Sequence, residues 1–206
     1  MPVLHGLYAI TDSSLDDDTT LREAVEQALQ GGARLLQYRD KSDDHGKRLR
    51  QASLLKTLCA RRDALLIIND DFELAKQCRA DGVHLGRDDA SVAQARAALG
   101  DGGIIGVSCY NRLALARRAQ QQGADYVAFG AFYPSPTKPD AAAATLDLLQ
   151  QARTELTVPI CAIGGITIET APALVEAGAD MLAVISGVFR QPDIAHAASQ
   201  FSRLFR

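Results

Sequence analysis

No Cys-x-x-Cys pair, no excess of basic residues and no long apolar run occur in these 206 residues, and each absence removes a class of function. The four cysteines, Cys59, Cys78, Cys109 and Cys161, are scattered through mostly apolar context. That spacing argues against a zinc ribbon or a disulfide frame and for a reduced, cytoplasmic setting. The net charge is -3, with 23% charged residues, so there is no broad basic field to hold nucleic acid or a membrane surface, and any anion site must be local. No run approaches the ~20 apolar residues of a membrane span. The opening Met1-Pro2-Val3-Leu4-His5-Gly6 has no basic segment followed by an apolar one, so no signal peptide is expected. No Ser-His-Asp order and no paired general acid and base stand out either. Chemistry here would rest on positioning and charge stabilisation.

The chain is otherwise ordinary for a globular protein: 47% hydrophobic residues, enough to bury one sizeable core, so a single domain over 1–206 is expected. Four segments repeat a theme: Gly31-Gly32-Ala33-Arg34, Ala80-Asp81-Gly82, Gly123-Ala124-Asp125 and Gly178-Ala179-Asp180. Each pairs a glycine suited to closing a helix with a short apolar run suited to a buried parallel strand. A further strand-like run precedes each of them, at 4–10, 64–68, 104–107 and 158–163. Helical patterns lie between, over 20–30, 47–61, 72–79, 91–99, 112–122, 145–155, 169–177 and 194–204. Eight alternating β and α elements without a composition break point to an α/β fold, one closed (β/α)8 TIM barrel. A doubly wound open sheet is the competing arrangement. The barrel is favoured because useful polar residues follow nearly every strand, as they must if all strand ends meet at one mouth.

The densest such group is Gln37-Tyr38-Arg39-Asp40-Lys41. In an extended chain side chains alternate, so Gln37, Arg39 and Lys41 share a face, converging an amide and two cations suited to a multiply charged anion. A solvated strand end paired with nearby acids is the bland reading. Asn69-Asp70-Asp71 follows the third strand, and Gly86-Arg87-Asp88-Asp89 the fourth. Asp70 and one of Asp88 or Asp89 could face each other and hold Mg2+ through hard oxygen ligands, with helix capping the competing role for Asp71 or Asp88. Gly164-Gly165 after the seventh strand and Ser186-Gly187 after the eighth read as a phosphate cup of backbone amides. Gly130 to Asp140 reads as a stiff site loop in which Ser135, Thr137 and Lys138 meet substrate. His84 and Cys109 read as wall-lining rather than catalytic, and His5, His45 and His196 have no nameable partner.

Together, Leu7-Tyr8-Ala9-Ile10-Thr11-Asp12, Gln37-x-Arg39-x-Lys41, Ile68-Asn69-Asp70, Gly82-Val83-His84-Leu85-Gly86-x-x-Asp89, Gly106-Val107-Ser108-Cys109, Thr137-Lys138-Pro139-Asp140 and Ala162-Ile163-Gly164-Gly165-Ile166 resemble the thiamine-phosphate synthase family over nearly the whole length. The resemblance implies a transferase that joins hydroxymethylpyrimidine diphosphate to a thiazole phosphate and releases diphosphate with the help of Mg2+. It implies that Gln37, Tyr38, Arg39, Asp40, Lys41, Asn69, Ser108 and Lys138 hold the pyrimidine diphosphate, with Arg39, Lys41, Lys138 and Ser108 acting in catalysis. Asp70 and Asp89 would hold the metal, and Ser135, Pro136, Thr137, Gly165, Ile185 and Ser186 the thiazole phosphate. Partners would then be small molecules, without nucleic acid or membrane, and the oligomeric state, a homo-oligomer included, stays open. The aminopyrimidine ring can stabilise a methylene cation and the attacking thiazole nitrogen carries no proton, which accounts for the missing acid-base pair.

Two positions depart from the family pattern: Arg87 stands where glutamine is usual, and Ser135-Pro136-Thr137 where Thr-x-Thr is usual. Two other readings compete. A thiazole tautomerase of the same barrel keeps the phosphate cup but not the full diphosphate site, and the intact Gln37, Arg39, Lys41, Asp70 and Asp89 argue against it. A barrel that binds a phosphate ligand without turnover is the non-enzymatic alternative.

Overall fold

The computed structural model describes residues 4–86, 89–134 and 143–205. Eight parallel strands, β1 (Gly6–Ile10), β2 (Leu35–Tyr38), β3 (Leu65–Asn69), β4 (Gly82–Leu85), β5 (Ile104–Tyr110), β6 (Tyr126–Phe129), β7 (Ile160–Ile163) and β8 (Met181–Val184), pair in chain order and close into one barrel. Closure is by β8 on β1, with Tyr8 opposite Ala183. Helices α1 (Asp18–Gln30), α2 (His45–Arg61), α3 (Phe72–Gln77), α4 (Val92–Leu99), α5 (Leu113–Gln121), α6 (Leu146–Glu155), α7 (Ala171–Glu176), α8 (Ser186–Phe189) and α9 (Ile194–Ser202) surround it. The open-sheet alternative is thereby excluded. Among the described residues no helix is long and apolar enough to cross a membrane.

Strand alternation divides the core in two. Tyr8, Ile10, Leu35, Ile67, Ile104, Tyr126, Cys161, Met181 and Ala183 form a cluster of their own that fills the barrel. Their strand neighbours, such as Leu7, Ala9, Leu36, Leu66, Ile68, Val127 and Leu182, join the helices in the larger cluster. A period of two therefore selects which residues reach the mouth and which are sealed under helices.

The element boundaries differ from expectation where local chemistry intervenes. The strand expected over 158–163 begins at Ile160, because Pro159 has no N–H to donate and offers only its carbonyl, which accepts from Val127. The strand expected over 104–107 runs on to Tyr110 through a register shift between Ser108 and Tyr110. A helix does open at Ser186-Gly187 as expected, but as the short α8, separate from the helix expected over 194–204. Its four residues, Ser-Gly-Val-Phe, are too few to show a helical period.

The four repeated segments become one device used four times. Each leads into an even-numbered strand, and the amides of Ala33, Ala80, Ala124 and Ala179 reach back to Ala28, Ala75, Ala119 and Leu174 at 2.9–3.1 Å. This is the long hydrogen bond of a left-handed helix terminator. Gly32, Gly123 and Gly178 take the positive φ that it needs. The second segment corrects the expectation that Gly82 plays this part: Arg79 does, at φ +54, and Gly82 lies within β4 against Ile104, where a Cβ would overlap that residue's backbone.

Candidate active site

The strand ends converge the side chains by the same alternation that builds the core. Gln37 points inward, 3% exposed, and its Nε2 donates to Tyr8 Oη at 2.8 Å. The backbone just beyond is held by Thr11, whose hydroxyl accepts from the Arg39 amide at 3.0 Å. Tyr38 and Asp40 face the other way. The Tyr38 hydroxyl donates to Gln51 Oε1 of α2 at 2.7 Å, burial pushes it well above its ordinary pKa, and Asp40 pairs with Lys47 at 3.2 Å. These two residues shape the strand end from behind rather than facing the mouth. Among the described residues the Arg39 guanidinium has no carboxylate partner, whereas Lys41 ion-pairs with Asp70.

Asp70 sits at the end of β3 with φ +64, a conformation that costs about 1 kcal/mol or more for a residue with a Cβ. Functional positions are where such strain collects. Asn69 Nδ2 donates to Asp70 Oδ2 at 2.6 Å, and Lys41 meets the same oxygen. The next residue, Asp71, caps α3 by accepting from the Leu74 amide at 2.8 Å and pairs with Arg48 at 2.7 Å. It is thus engaged structurally.

Asp89 comes from the loop after β4, anchored by the Gly86 amide. The Asp70 and Asp89 carboxyl groups lie close enough to interact directly. Partial burial, then the Asp70 carboxylate, push Asp89 above the ordinary range. Asp70 stays below it: burial opposes this, but the Asp89 side chain and the Lys41 ammonium prevail. Two neighbouring carboxyls shifted in opposite directions offer oxygen ligands and a demand for positive charge, which fits a hard divalent cation. Among the described residues no group of three or more His, Cys, Asp or Glu side chains is placed to hold a metal; the remaining ligands of a Mg2+ ion would come from water and substrate oxygens, as is usual for that ion.

Ser108 follows the normal alternation of β5 onto the interior face, in phase with Ile104 and Gly106 and ahead of the register shift that leads to Tyr110. Its Oγ lies 2.8 Å from His84 Nε2. His84 Nδ1 lies 2.9 Å from Tyr126 Oη, and Tyr126 Oη lies 2.9 Å from Tyr8 Oη. The expectation that His84 lines a wall rather than facing the reaction agrees with its 9% exposure. Sequence reading missed Tyr8 and Tyr126 as polar members of the interior. One signal was present in Gly106: a Cβ there would overlap the Tyr126 ring, so a strand glycine marked a close approach.

The cup is formed by two glycine turns. Gly164 and Gly165 have φ +105 and +63. A Cβ on either would stand 2.5 Å from the Ala131 Cβ or the Pro134 carbonyl oxygen respectively. The backbone after β6 lies directly on this turn, with Phe132 and Tyr133 amides donating to the Ile163 and Gly164 carbonyls at 3.2 and 3.0 Å. Beside it, Ile185 and Ser186 open α8, where the Val188 and Phe189 amides donate back to the Ile185 carbonyl at 3.1 and 2.9 Å. Gly187 lets this turn approach, since a Cβ there would meet the Ile166 carbonyl at 2.9 Å. Asp12 at the end of β1 accepts from the Ser14 amide at 2.9 Å and from Arg190, just beyond α8, at 3.0 Å. Gln37, Arg39, Lys41, Asn69, Asp70, Asp89, Ser108, Gly165, Ile185 and Ser186 thus all lie at the carboxyl ends of the strands or just beyond them. Ser135, Pro136, Thr137 and Lys138, together with Arg87 and Asp88, lie outside the described residues.

Residues 7–188 match the family model described as thiamine monophosphate synthase. The thiamine-phosphate synthase of Thioalkalivibrio sulfidiphilus is 54% identical over 202 residues, covering 98% of this chain and 96% of that protein. A solved structure described as thiamine phosphate pyrophosphorylase, from Pyrococcus furiosus, superposes with a TM-score of 0.87 at 32% identity, covering 97% of this chain and 95% of the other. The (S)-3-O-geranylgeranylglyceryl phosphate synthase of Thermoplasma acidophilum, at TM-score 0.73 and 18% identity over 98% and 93% of the two chains, shares the fold.

Proposed function

The chain belongs to the thiamine-phosphate synthase family, and from that premise we propose how its residues divide the work. The enzyme condenses hydroxymethylpyrimidine diphosphate with a thiazole phosphate to give thiamine phosphate and diphosphate. Arg39, Lys41, Asn69, Ser108 and Lys138 hold the diphosphate, and Gln37 lies at the pyrimidine end. Asp70 and Asp89 hold Mg2+. Ser135 to Thr137, Gly165, Ile185 and Ser186 hold the thiazole phosphate.

The observation that carries this reading is the Asp70–Asp89 carboxyl pair with Lys41 against Asp70, next to an Arg39 without a carboxylate partner among the described residues. Such a site is short of an anion and a cation together. When bound, Mg2+ supplies positive charge to the oxygens of the departing diphosphate. The protein's own cations do the same from the other sides. As the bond between the methylene carbon and the diphosphate oxygen breaks, its electron pair goes to that oxygen, and Arg39, Lys41, Lys138 and the Ser108 hydroxyl meet the growing charge. The thiazole nitrogen then gives its lone pair to the methylene carbon, with no proton to remove. No general base is required.

Thiamine phosphate formation from the two substrates, followed against Mg2+ concentration, tests the assignment. Asp70→Asn and Asp89→Asn should each lose most turnover and shift the Mg2+ requirement upward. Full activity of both variants at limiting Mg2+ would overturn the metal assignment. Such a result would leave the family membership untouched.

A further inference from the structure

Four hydrogen bonds run through the barrel interior from Gln37 to Ser108: Gln37 Nε2 to Tyr8 Oη at 2.8 Å, Tyr8 Oη to Tyr126 Oη at 2.9 Å, Tyr126 Oη to His84 Nδ1 at 2.9 Å, and His84 Nε2 to Ser108 Oγ at 2.8 Å. We propose that Tyr126 is a positioning residue of the condensation, the centre of a hydroxyl relay that fixes the Ser108 hydroxyl as a hydrogen-bond donor toward the diphosphate. The proposal rests on the reading above that Ser108 contacts that group.

The relay stands in unfavourable surroundings, which is what calls for a role. Tyr8 and Tyr126 are 1% and 0% exposed among aliphatic neighbours that fill the barrel. Phenylalanine would fill the same space without carrying a hydroxyl out of water. The rings are already held by contacts that need no hydroxyl: Tyr126 stacks on His84 at a 5.6 Å centroid distance and meets Tyr8 edge-on at 6.0 Å. Packing therefore accounts for the rings but not for the oxygens.

The proton count gives the chain a direction. An amide nitrogen can only donate, so Tyr8 Oη accepts from Gln37 and its own proton goes to Tyr126. Tyr126 then gives its proton to His84 Nδ1, which must be the bare nitrogen of the ring. The ring proton is left on Nε2, where it is donated to Ser108 Oγ. Ser108 has thereby accepted its bond from the protein, and its own O–H is free to point elsewhere. Burial pushes both phenols upward in pKa, so each keeps the one proton that the relay needs. The opposite direction would require the Gln37 amide oxygen against Tyr8. It would send the Ser108 proton back to His84 and leave bare lone pairs facing an anion, the repulsive arrangement for a diphosphate ligand. Because each hydroxyl has only one proton, no member can reverse alone.

The test reads the tautomer and the kinetics separately. In the 15N spectrum of the ligand-free protein, His84, identified by its loss in His84→Gln, should carry its proton on Nε2, with Nδ1 accepting. In Tyr126→Phe the Nδ1 signal should lose its hydrogen-bond shift. Turnover should fall about five- to tenfold, the loss of one oriented hydrogen bond, with KM for the thiazole phosphate unchanged. Placed on Ser108→Ala, the same substitution should cost nothing further, because the relay acts through that hydroxyl. An Nδ1–H tautomer in the unsubstituted protein, or a Tyr126→Phe loss of equal size in both backgrounds, would overturn the relay and leave the diphosphate assignment standing. A silent Ser108→Ala would overturn the diphosphate assignment, and with it the kinetic half of the proposal.

Discussion

Arg39 and Lys41 leave the same strand end two residues apart, and the structure treats them differently. Lys41 is occupied by Asp70, so under the proposed assignment it would steady a metal ligand as much as offer charge. Among the described residues Arg39 has no such partner, and the proposed assignment gives it to the substrate diphosphate. Arg39→Met retains the bulk and removes a charge-assisted contact of about 1.5–3 kcal/mol, so turnover should fall roughly ten- to over a hundredfold. Unchanged turnover and unchanged pyrimidine diphosphate binding would make Arg39 a surface residue. Asp71 gives the contrast within a single dipeptide. Asp71→Ala should cost about 1–2 kcal/mol in denaturant melts, through the lost α3 cap, while the Mg2+ dependence stays as it is; a shifted Mg2+ dependence would move Asp71 into the metal site. The inward face of Gln37 was legible because it follows from alternation alone, whereas Arg39 and Lys41 lie beyond the end of β2. The Tyr8–Tyr126 bond was not, because it joins residues 118 positions apart and a tyrosine in a strand reads as ordinary β propensity.

At the scale of elements, the chain reuses one joint. Asp81, Asp125 and Asp180 begin the approach to β4, β6 and β8, and each carboxylate accepts from a backbone amide of the preceding strand, Leu66, Ile105 or Ile160, at 2.8 Å. Each also pairs with a basic residue of the preceding even-numbered helix: Lys56 at 2.6 Å, Arg96 at 2.7 Å and Arg153 at 3.2 Å. Arg34, in the same place before β2, keeps only the backbone half, its amide donating to Leu7 at 3.1 Å. The fifty-residue rhythm was visible in the sequence as a run of small and acidic residues. Which residue takes the left-handed turn was not visible at Arg79, since an arginine carries no such signal. Arg79 is exposed at φ +54, so Arg79→Gly should relieve strain and raise stability by up to about 1 kcal/mol, net of the unfolded-state entropy of glycine. Gly123 is the converse. A Cβ there meets nothing within 4 Å, yet φ is +89, so Gly123→Ala should destabilise by about 1 kcal/mol through backbone strain alone. Equal effects of the two substitutions in thermal melts would refute the shared joint.

For the whole molecule the question is what keeps a ring of eight short strands closed above its last seam. β8 and β1 meet through backbone pairing along their length, and beyond their ends the Asp12–Arg190 contact spans the same seam at 3.0 Å. Burial of the Asp12 carboxyl would raise its pKa, but hydrogen bonds from Ser14 and the Arg190 guanidinium outweigh it and hold the group below the ordinary carboxylate range. A carboxylate lowered in the folded state stabilises fully above the unfolded value, about 3.9. That contribution fades as pH falls through the lower folded value. Arg190 is half-exposed, its side chain 53% accessible, so solvent screening limits its share to about 1 kcal/mol. The same contact lies beside the turn that would hold the thiazole phosphate. Arg190→Met should therefore lower stability by a constant amount near neutral pH, and the gap from the unsubstituted protein should close as the pH drops below about 4. It should also raise KM for the thiazole phosphate more than it lowers turnover, because Arg190 lies just beyond the α8 turn that would hold that phosphate. A gap that persists unchanged into acid would mean that Arg190 stabilises by packing rather than through the Asp12 charge. An equal loss for both substrates would mean that closure of the seam sets the shape of the entire mouth.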